Sequence, residues 1–433
     1  MTISEMVFTA VGVTGSVVTA WSAWRWPIGA VALVALSVPL QAFARVGTDD
    51  AGITWTQAWL WTFLAVGAML FAIGAFSIQV DLISVSLVAV VVCYIVSRQS
   101  AIDVPAWSNE VYRWSVTLAF FVIARGMLRF RSSTGVMIGV TVVGAVWTGV
   151  VALVQVAGDI GPASFQRAGR PRAYASFGEP NTFGAFAASC LVVLVAGLLF
   201  KESRASPLRT ITLTIGCLVA AGGLGLSQSR GAIAAFALVL TILLVVKLIG
   251  MASTTTSIRV VVAAAAIVIA ALVAPRVADE FFDNTTEMEV TTATWADHER
   301  FAHWSAATAM IVESSGTGIG AGQFDDRFRA ETPTWRFRIP QGHAHSAYLQ
   351  VAAEAGMLGL GAYLVLLVSV LTHLGQRIRR SEFSAVAVMA LAGTGIFALH
   401  NLVDYLHVLN LPIILVAWWA LALGQSEGST APS

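Results

Sequence analysis

Apolar runs, most of them close to the length of a membrane crossing, alternate along this chain with short polar connectors. A helix needs about 20 mostly apolar residues to cross the hydrocarbon of a bilayer. Windows of that character fall at 6–22, 27–44, 56–76, 80–97, 113–129, 135–157, 182–200, 209–227, 232–250, 260–275, 355–374, 384–400 and 404–424. The pattern predicts an all-α integral membrane protein with about 12–13 transmembrane helices. One stretch, 276–345, breaks the alternation and is rich in Asp, Glu and Arg. A connector of that length without structure of its own is uncommon. Within it, Phe301, Ala302, Ala306, Met310 and Ile311 recur at helical spacing, so a helix is predicted over 294–313, ended by glycines at 316–322. The chain therefore divides into N-terminal helices (1–157), central helices (158–275), a partly helical cap (276–345), C-terminal helices (346–424) and a tail (425–433).

Composition narrows the class. Of 433 residues, 57% are apolar and 11% charged, against roughly 25% charged in a soluble domain. That much apolar surface has no place in a soluble fold, so membrane lipids are the first partner. A net charge of +1 gives no electrostatic ground for a nucleic-acid partner. Cys93, Cys190 and Cys217 all lie in apolar runs and read as small core hydrophobes, not as disulfides or metal ligands. The first basic residue is Arg25, so the first apolar run lacks a signal peptide's charged start and is expected to be retained.

Basic residues set the orientation. Arg125, Arg129 and Arg131 fall in one connector, Lys201, Arg204 and Arg209 in another, Lys247 and Arg259 flank a third, and Arg377, Arg379 and Arg380 crowd a fourth. The positive-inside tendency assigns these to the cytoplasm. Segments 158–181, 228–231 and 276–345 then face outward, and the tail faces inward. Thirteen crossings put the N-terminus outside; twelve require one early span not to cross.

Three candidate sets fall on the outward face. They are Ser227-Gln228-Ser229-Arg230-Gly231, then His298-Glu299-Arg300-Phe301-Ala302-His303-Trp304 in the cap, and His343-Ala344-His345-Ser346 running on to Glu354-Ala355-Gly356. Each also has a plain structural reading. Arg230 is placed to anchor a helix end at headgroup level, Arg300 to pair with Asp297 or Glu299, and His343 and His345 to cap a helix. A zinc site would need more than the His-x-His pair, and none is expected. Gly316, Gly318, Gly320 and Gly322 lack the preceding strand of a phosphate-binding loop and read as a flexible turn. Taken together, two arginines and a histidine suit displacement at an anomeric carbon whose leaving group is a diphosphate. A guanidinium fork matches phosphate oxygens. An imidazole is a natural base near neutral pH. A diphosphate leaves without a carboxylic acid to protonate it.

These residues resemble the O-antigen ligase and O-antigen polymerase superfamily of bacterial membrane glycosyltransferases. The likeness is carried by Ser176-Phe177-Gly178-Glu179-Pro180-Asn181, Ser229-Arg230-Gly231, Arg300 with Trp304, Gly316-Thr317-Gly318-Ile319-Gly320, His345-Ser346-x-x-Leu349, Gly356-x-x-Gly359 and His400-Asn401-x-x-Asp404. The resemblance implies a GT-C-like helical fold in the bacterial cytoplasmic membrane, both termini cytoplasmic, about twelve spans and an extracytoplasmic active site. It implies inverting transfer without cofactor or metal, from a glycan on a polyprenyl diphosphate to a glycan, lipid or protein acceptor. In that reading Arg230 and Arg300 hold the diphosphate and His345 activates the acceptor hydroxyl. Ser346 stands where the family commonly has Asn. Arg172 is a candidate for phosphate or headgroup contact, Asn181 for sugar contact or, with Glu179, a helix cap, and Asp404 for ordering a histidine or arginine. His343 and Trp304 are further binding candidates. A transporter of lipid-linked glycans is the rival reading. It calls for an internal repeat and midplane charges, which the chain does not display.

Overall fold

The structure, a computed structural model, describes residues 3–43, 45–46, 53–128, 134–167, 170–200, 206–251, 295–331, 342–380 and 384–424. In chain order the helices are α1 (Ile3–Arg25), α2 (Pro27–Ser37), α3 (Trp55–Ala72), α4 (Leu82–Val96), α5 (Val104–Met127), α6 (Thr134–Ala157) and α7 (Pro180–Leu199). They continue with α8 (Pro207–Ser227), α9 (Arg230–Met251), α10 (Trp295–Glu313), α11 (Phe324–Glu331), α12 (Ala347–Arg380), α13 (Ala385–His400) and α14 (Leu411–Gly424). Strand pairing among the described residues is confined to two hairpins of two residues per strand. The protein is thus an all-α integral membrane protein. Among the described residues eight helices are long and apolar enough to cross a membrane, and three shorter apolar ones join them.

Burial grades from the centre outward. In α7, 78% of the apolar window is buried, against 22% in α1 and α9. The outer helices turn Val, Leu and Ile outward: Val85, Val88 and Val92 on α4, Val150, Leu153 and Val154 on α6, Ile211, Ile215 and Leu218 on α8. In water such faces would be costly; against lipid chains they cost nothing.

Side-chain pairs fix helix polarity. Trp61 meets Tyr112, Phe63 meets Phe120, and Gly67 lies against Ile123. Rising numbers pair with rising numbers, so α3 runs parallel to α5. The Trp55 and Trp59 indoles likewise donate to the carbonyls of Phe8 (2.9 Å) and Gly12 (3.1 Å), making α1 parallel to α3. The start of α1 therefore lies at the same end as the start of α5. The end of α14 lies at the other, where Gly424 approaches the Arg125 carbonyl. This corrects the resemblance-based expectation that both termini share one side.

Several predicted windows change length, each for a local reason. The 113–129 window is a helix from Val104, because the Asp103 side chain caps it by accepting from Ala106 N and Pro105 suits its first turn. Arg125, assigned to a connector, is instead buried in the last turn of that helix and paired at 2.6 Å with Asp81, the N-cap of α4. The 404–424 window forms a helix only from Leu411. Before it, Asn401 and Asp404 turn the backbone by accepting from Leu406 N and Tyr405 N. The predicted span 260–275 lies outside the described residues.

The 316–322 stretch is the largest departure from expectation. It is a tight, packed loop, not a flexible turn. Gly356 interrupts α12 with φ 75° and ψ 179°, so Met357 N no longer bonds within the helix and donates to the Gly316 carbonyl at 2.9 Å. The carbonyls this leaves free are taken up by the loop: Ile319 N donates to Ala353 O (2.8 Å) and Gly320 N to Glu354 O (3.1 Å). A broken helix is tolerated at membrane depth only where its polar groups are satisfied this way. On its other face the loop grips the start of α5. Gln323 Oε1 accepts from Ile102 N and Asp103 N, its Nε2 donates to Asp103 O, and Ala321 N donates to Ser97 Oγ. Gly316, Gly318, Gly320 and Gly322 all have φ between +71° and +103°, a region open mainly to glycine.

Gly318→Ala is expected to destabilise the protein by about 1–3 kcal/mol or more, since a Cβ there would meet Glu354 O at 2.6 Å on a backbone of φ +92°. Gly361→Ala, on α12 with nothing within 4 Å, serves as the tolerated control. Thermal unfolding in detergent compares the two; equal midpoints would show that the loop is not a structural joint.

Candidate active site

The segment 342–346 delivers the cap onto α12, and its conformation is unusual. His345 has φ +48°, where a residue other than glycine costs roughly 1–2 kcal/mol. Non-glycine residues held this way gather at functional sites. Four hydrogen bonds hold it. His345 N donates to His343 Nδ1 (3.2 Å), and the His345 carbonyl accepts from Trp304 Nε1 (3.1 Å). Ala344 N donates to Gln350 Oε1 (2.7 Å), and Ala347 N to the Asn401 carbonyl (2.9 Å). Ser346 stands at the N-cap of α12, with its Oγ 3.5 Å from Leu349 N.

Around the His345 ring the fold assembles a buried group of titratable side chains. Asp404 Oδ1 lies 3.6 Å from His345 Nδ1, and Asp404 Oδ2 lies 3.7 Å from His400 Nε2. These are ion-pair distances, longer than a hydrogen bond. The rings of His343 and His303 stand edge-on to His345 with centroids 4.5 and 5.1 Å away. Both His345 ring nitrogens are buried without a hydrogen-bond partner among the described residues. Burial works to raise the Asp404 carboxyl, but the His345 and His400 imidazoles outweigh it and hold the group well below the usual carboxylate range.

Two neighbouring histidines are kept neutral. Burial, with His345 nearby, pushes His343 down to about 3. Burial likewise takes His303 to about 4. His343 accepts at Nδ1, so its proton sits on Nε2. His303 Nδ1 lies 2.7 Å from the Glu299 carbonyl and must donate to it. His303 Nε2 is thus a bare lone pair, buried without a hydrogen-bond partner among the described residues.

The arginines approach from two further elements. Arg300 precedes Trp304 by one turn of α10 and its charge acts on the His343 ring. Arg230 opens α9, and a Cβ on its neighbour Gly231 would come within 3.4 Å of His400 Nε2. The α8–α9 turn is fixed by Arg172, whose guanidinium donates to the Ser227 carbonyl (3.0 Å) and to Asn181 Oδ1 (2.8 Å). Asn181 is thereby tied to Arg172. Glu179 occupies the N-cap position of α7 yet makes no side-chain cap bond, so the helix-cap reading is corrected. Its carboxyl is raised by burial and by the nearby Asp404 charge. Arg230, Arg300, His345, Asp404, His343, Trp304, Arg172 and Asn181 thus gather at one end of the bundle. The side chains of Arg167 and His298 lie outside the described residues.

The fold also gives the His-x-His pair a third donor. His343, His345 and Asp404 offer ligand atoms that all lie within 4.8 Å of one another. Three protein ligands is the number found at a catalytic zinc, so the donor types suit a metal. No single-sequence spacing reveals this, because Asp404 comes from the far side of α12 and α13.

Residues given no role from sequence also face the site. His303 and His400 lay inside noted motifs; Glu110 and Arg113 lay in none. They flank a cavity of about 550 Å³ whose wall includes Glu179, His343, Glu354 and Tyr405. The overlooked signal was two opposite charges three residues apart, paired at 2.6 Å, in an otherwise apolar helix. Starting the predicted span at 113 made Glu110 look like a connector residue.

Residues 215–364 match a family model described as O-Antigen ligase. That segment takes in Arg230, the described cap and His345; Arg172, Asn181, Asp404 and all of α5 lie outside it. No curated protein matches the chain.

The neutral histidines set an acid response. His303, His343 and His407, the last pushed down to about 3 by burial, all titrate below their ordinary 6.5. Over that window the unfolded chain binds more protons than the folded one, so stability falls as the pH drops below about 6.5 and keeps falling toward 4. Unfolding midpoints across pH 4–8 check this, and His303→Gln is expected to flatten the slope. A profile as steep in the variant would remove His303 from the account.

Proposed function

We propose that the chain, whose residues 215–364 match a family model described as O-Antigen ligase, is a membrane glycosyltransferase. It moves a glycan from a polyprenyl diphosphate to an acceptor hydroxyl on the extracytoplasmic face. The observation that carries this is the convergence on His345, an unbonded buried imidazole backed by Asp404, of two arginine-bearing elements distant in sequence.

His345 takes the proton of the acceptor hydroxyl as its oxygen attacks the anomeric carbon. The bond from that carbon to the diphosphate oxygen breaks, and its electron pair leaves with the polyprenyl diphosphate. One displacement inverts the anomeric centre. Arg230 and Arg300 stabilise charge growing on the diphosphate, where a fixed guanidinium needs no reorganisation. Asp404 stabilises the imidazolium as it forms, and neutral His343 and His303 add no competing positive charge. Strain at His345 pre-sets the ring before substrate arrives. A ligase and a polymerase would use this site alike and differ in the acceptor.

Purified protein given a polyprenyl-diphosphate glycan and acceptor is expected to release polyprenyl diphosphate in step with glycosylated product. His345→Ala is expected to lower turnover by about 10²–10⁴-fold while the protein remains folded; unchanged turnover would remove the base. Arg230→Lys keeps the charge and loses the fork, and a drop of ~10²-fold is expected. Full activity in the lysine variant would return Arg230 to the role of a helix-end anchor.

A further inference from the structure

The cavity beside His343 differs chemically from the arginine side of the site. Its wall is drawn from α5, the start of α7, α12 and the turn before α14, and carries Glu110, Glu179 and Glu354 against one guanidinium, Arg113. Each of two carboxyl groups has one oxygen committed and one spare. Glu110 Oε1 takes Arg113 at 2.6 Å, and Glu354 Oε1 accepts from Gln350 Nε2 at 2.8 Å. Glu110 Oε2, Glu354 Oε2 and the Tyr405 hydroxyl are buried and have no hydrogen-bond partner among the described residues. Glu110 and Glu354 lie near enough for their charges to act on Tyr405, so the three form one neighbourhood. Buried acceptors left open in this way are costly unless a ligand supplies donors.

We propose that this cavity binds an uncharged, hydroxyl-rich sugar, the acceptor end of the transfer. The inference rests on the glycosyltransferase reading and adds the chemistry of one substrate to it. The carboxyl oxygens can exchange hydrogen bonds with sugar hydroxyls, and the one guanidinium in the wall, Arg113, is already paired with Glu110, which leaves a phosphate or a uronic acid poorly served. The diphosphate therefore belongs with Arg230 and Arg300, not here. A volume of about 550 Å³ falls in the usual range for small-ligand pockets, roughly 300–1,000 Å³. His343 stands in the wall with its ring centroid 4.5 Å from that of His345, so a hydroxyl at this wall is one ring away from the base. Glu110, Arg113 and Tyr405 all lie outside residues 215–364. Glu354 and His343 lie inside them, so the family match reaches only part of the wall that would choose the acceptor.

The test uses full-length protein, a polyprenyl-diphosphate glycan donor, and methyl hexosides as neutral acceptors beside methyl uronosides. Wild type is expected to be saturated by the neutral sugar in preference to the acidic one. Glu110→Gln, and Tyr405→Phe, which removes a single oxygen, are each expected to raise the half-saturating sugar concentration by about tenfold, the loss of one buried hydrogen bond. The half-saturating donor concentration is expected to hold. Preference for the uronoside, or a shift in donor saturation in place of sugar saturation, would overturn the assignment. Should wild type release no polyprenyl diphosphate, the transferase reading fails by itself. Saturation-transfer NMR with the methyl hexoside then judges the cavity alone: signal lost in Tyr405→Phe sustains it, and no signal in wild type ends it.

Discussion

The break in α12 is the constraint from which the rest of the architecture follows. A glycine that leaves the helical region frees backbone carbonyls where no water reaches them. The amides of Ile319 and Gly320 satisfy those carbonyls, and in doing so pin the end of the cap against α12. The same loop holds the first turn of α5 through Gln323. One small set of backbone bonds thereby joins the element that starts at the base to the element that carries Glu110. Without it, the cap would be held to His345 chiefly by the Trp304 indole on the His345 carbonyl.

The site that results is organised by contrast in charge. On one side guanidinium groups come forward near the starts of α9 and α10; on the other, carboxyl groups with spare oxygens line a cavity. Between them stands an imidazole whose closest ring neighbours are held neutral by burial. In the proposed reaction, such an arrangement would keep a highly charged leaving group apart from an uncharged nucleophile.

Much of this was legible in the chain, and the failures have causes. Hydropathy located nearly all the described apolar helices, because a stretch that long and apolar has one physical solution in lipid. The sets holding His345, Arg230 and Arg300 stood out as candidates because polar residues beside apolar runs are few, and the fold brings the elements that carry them to one end of the bundle. Helix starts were missed where capping chemistry outweighed hydropathy, as at Asp103, and where side chains turned the backbone, as at Asn401 and Asp404. Arg125 was misplaced in a connector because a charge near a helix end reads as a loop residue until its partner Asp81, 44 residues away, is in view. The glycine loop was misjudged for a related reason. Glycine signals freedom in a local reading, whereas here it permits close approach of backbones from distant parts of the chain.

The parallel course of α1 and α3 carries a consequence of its own. With the start of α1 at the end that holds the site and the close of α14 at the opposite end, a membrane around the bundle leaves these two helix ends facing different aqueous phases. On the proposed reading, the start of α1 would share the compartment of the glycan acceptor and the close of α14 would not.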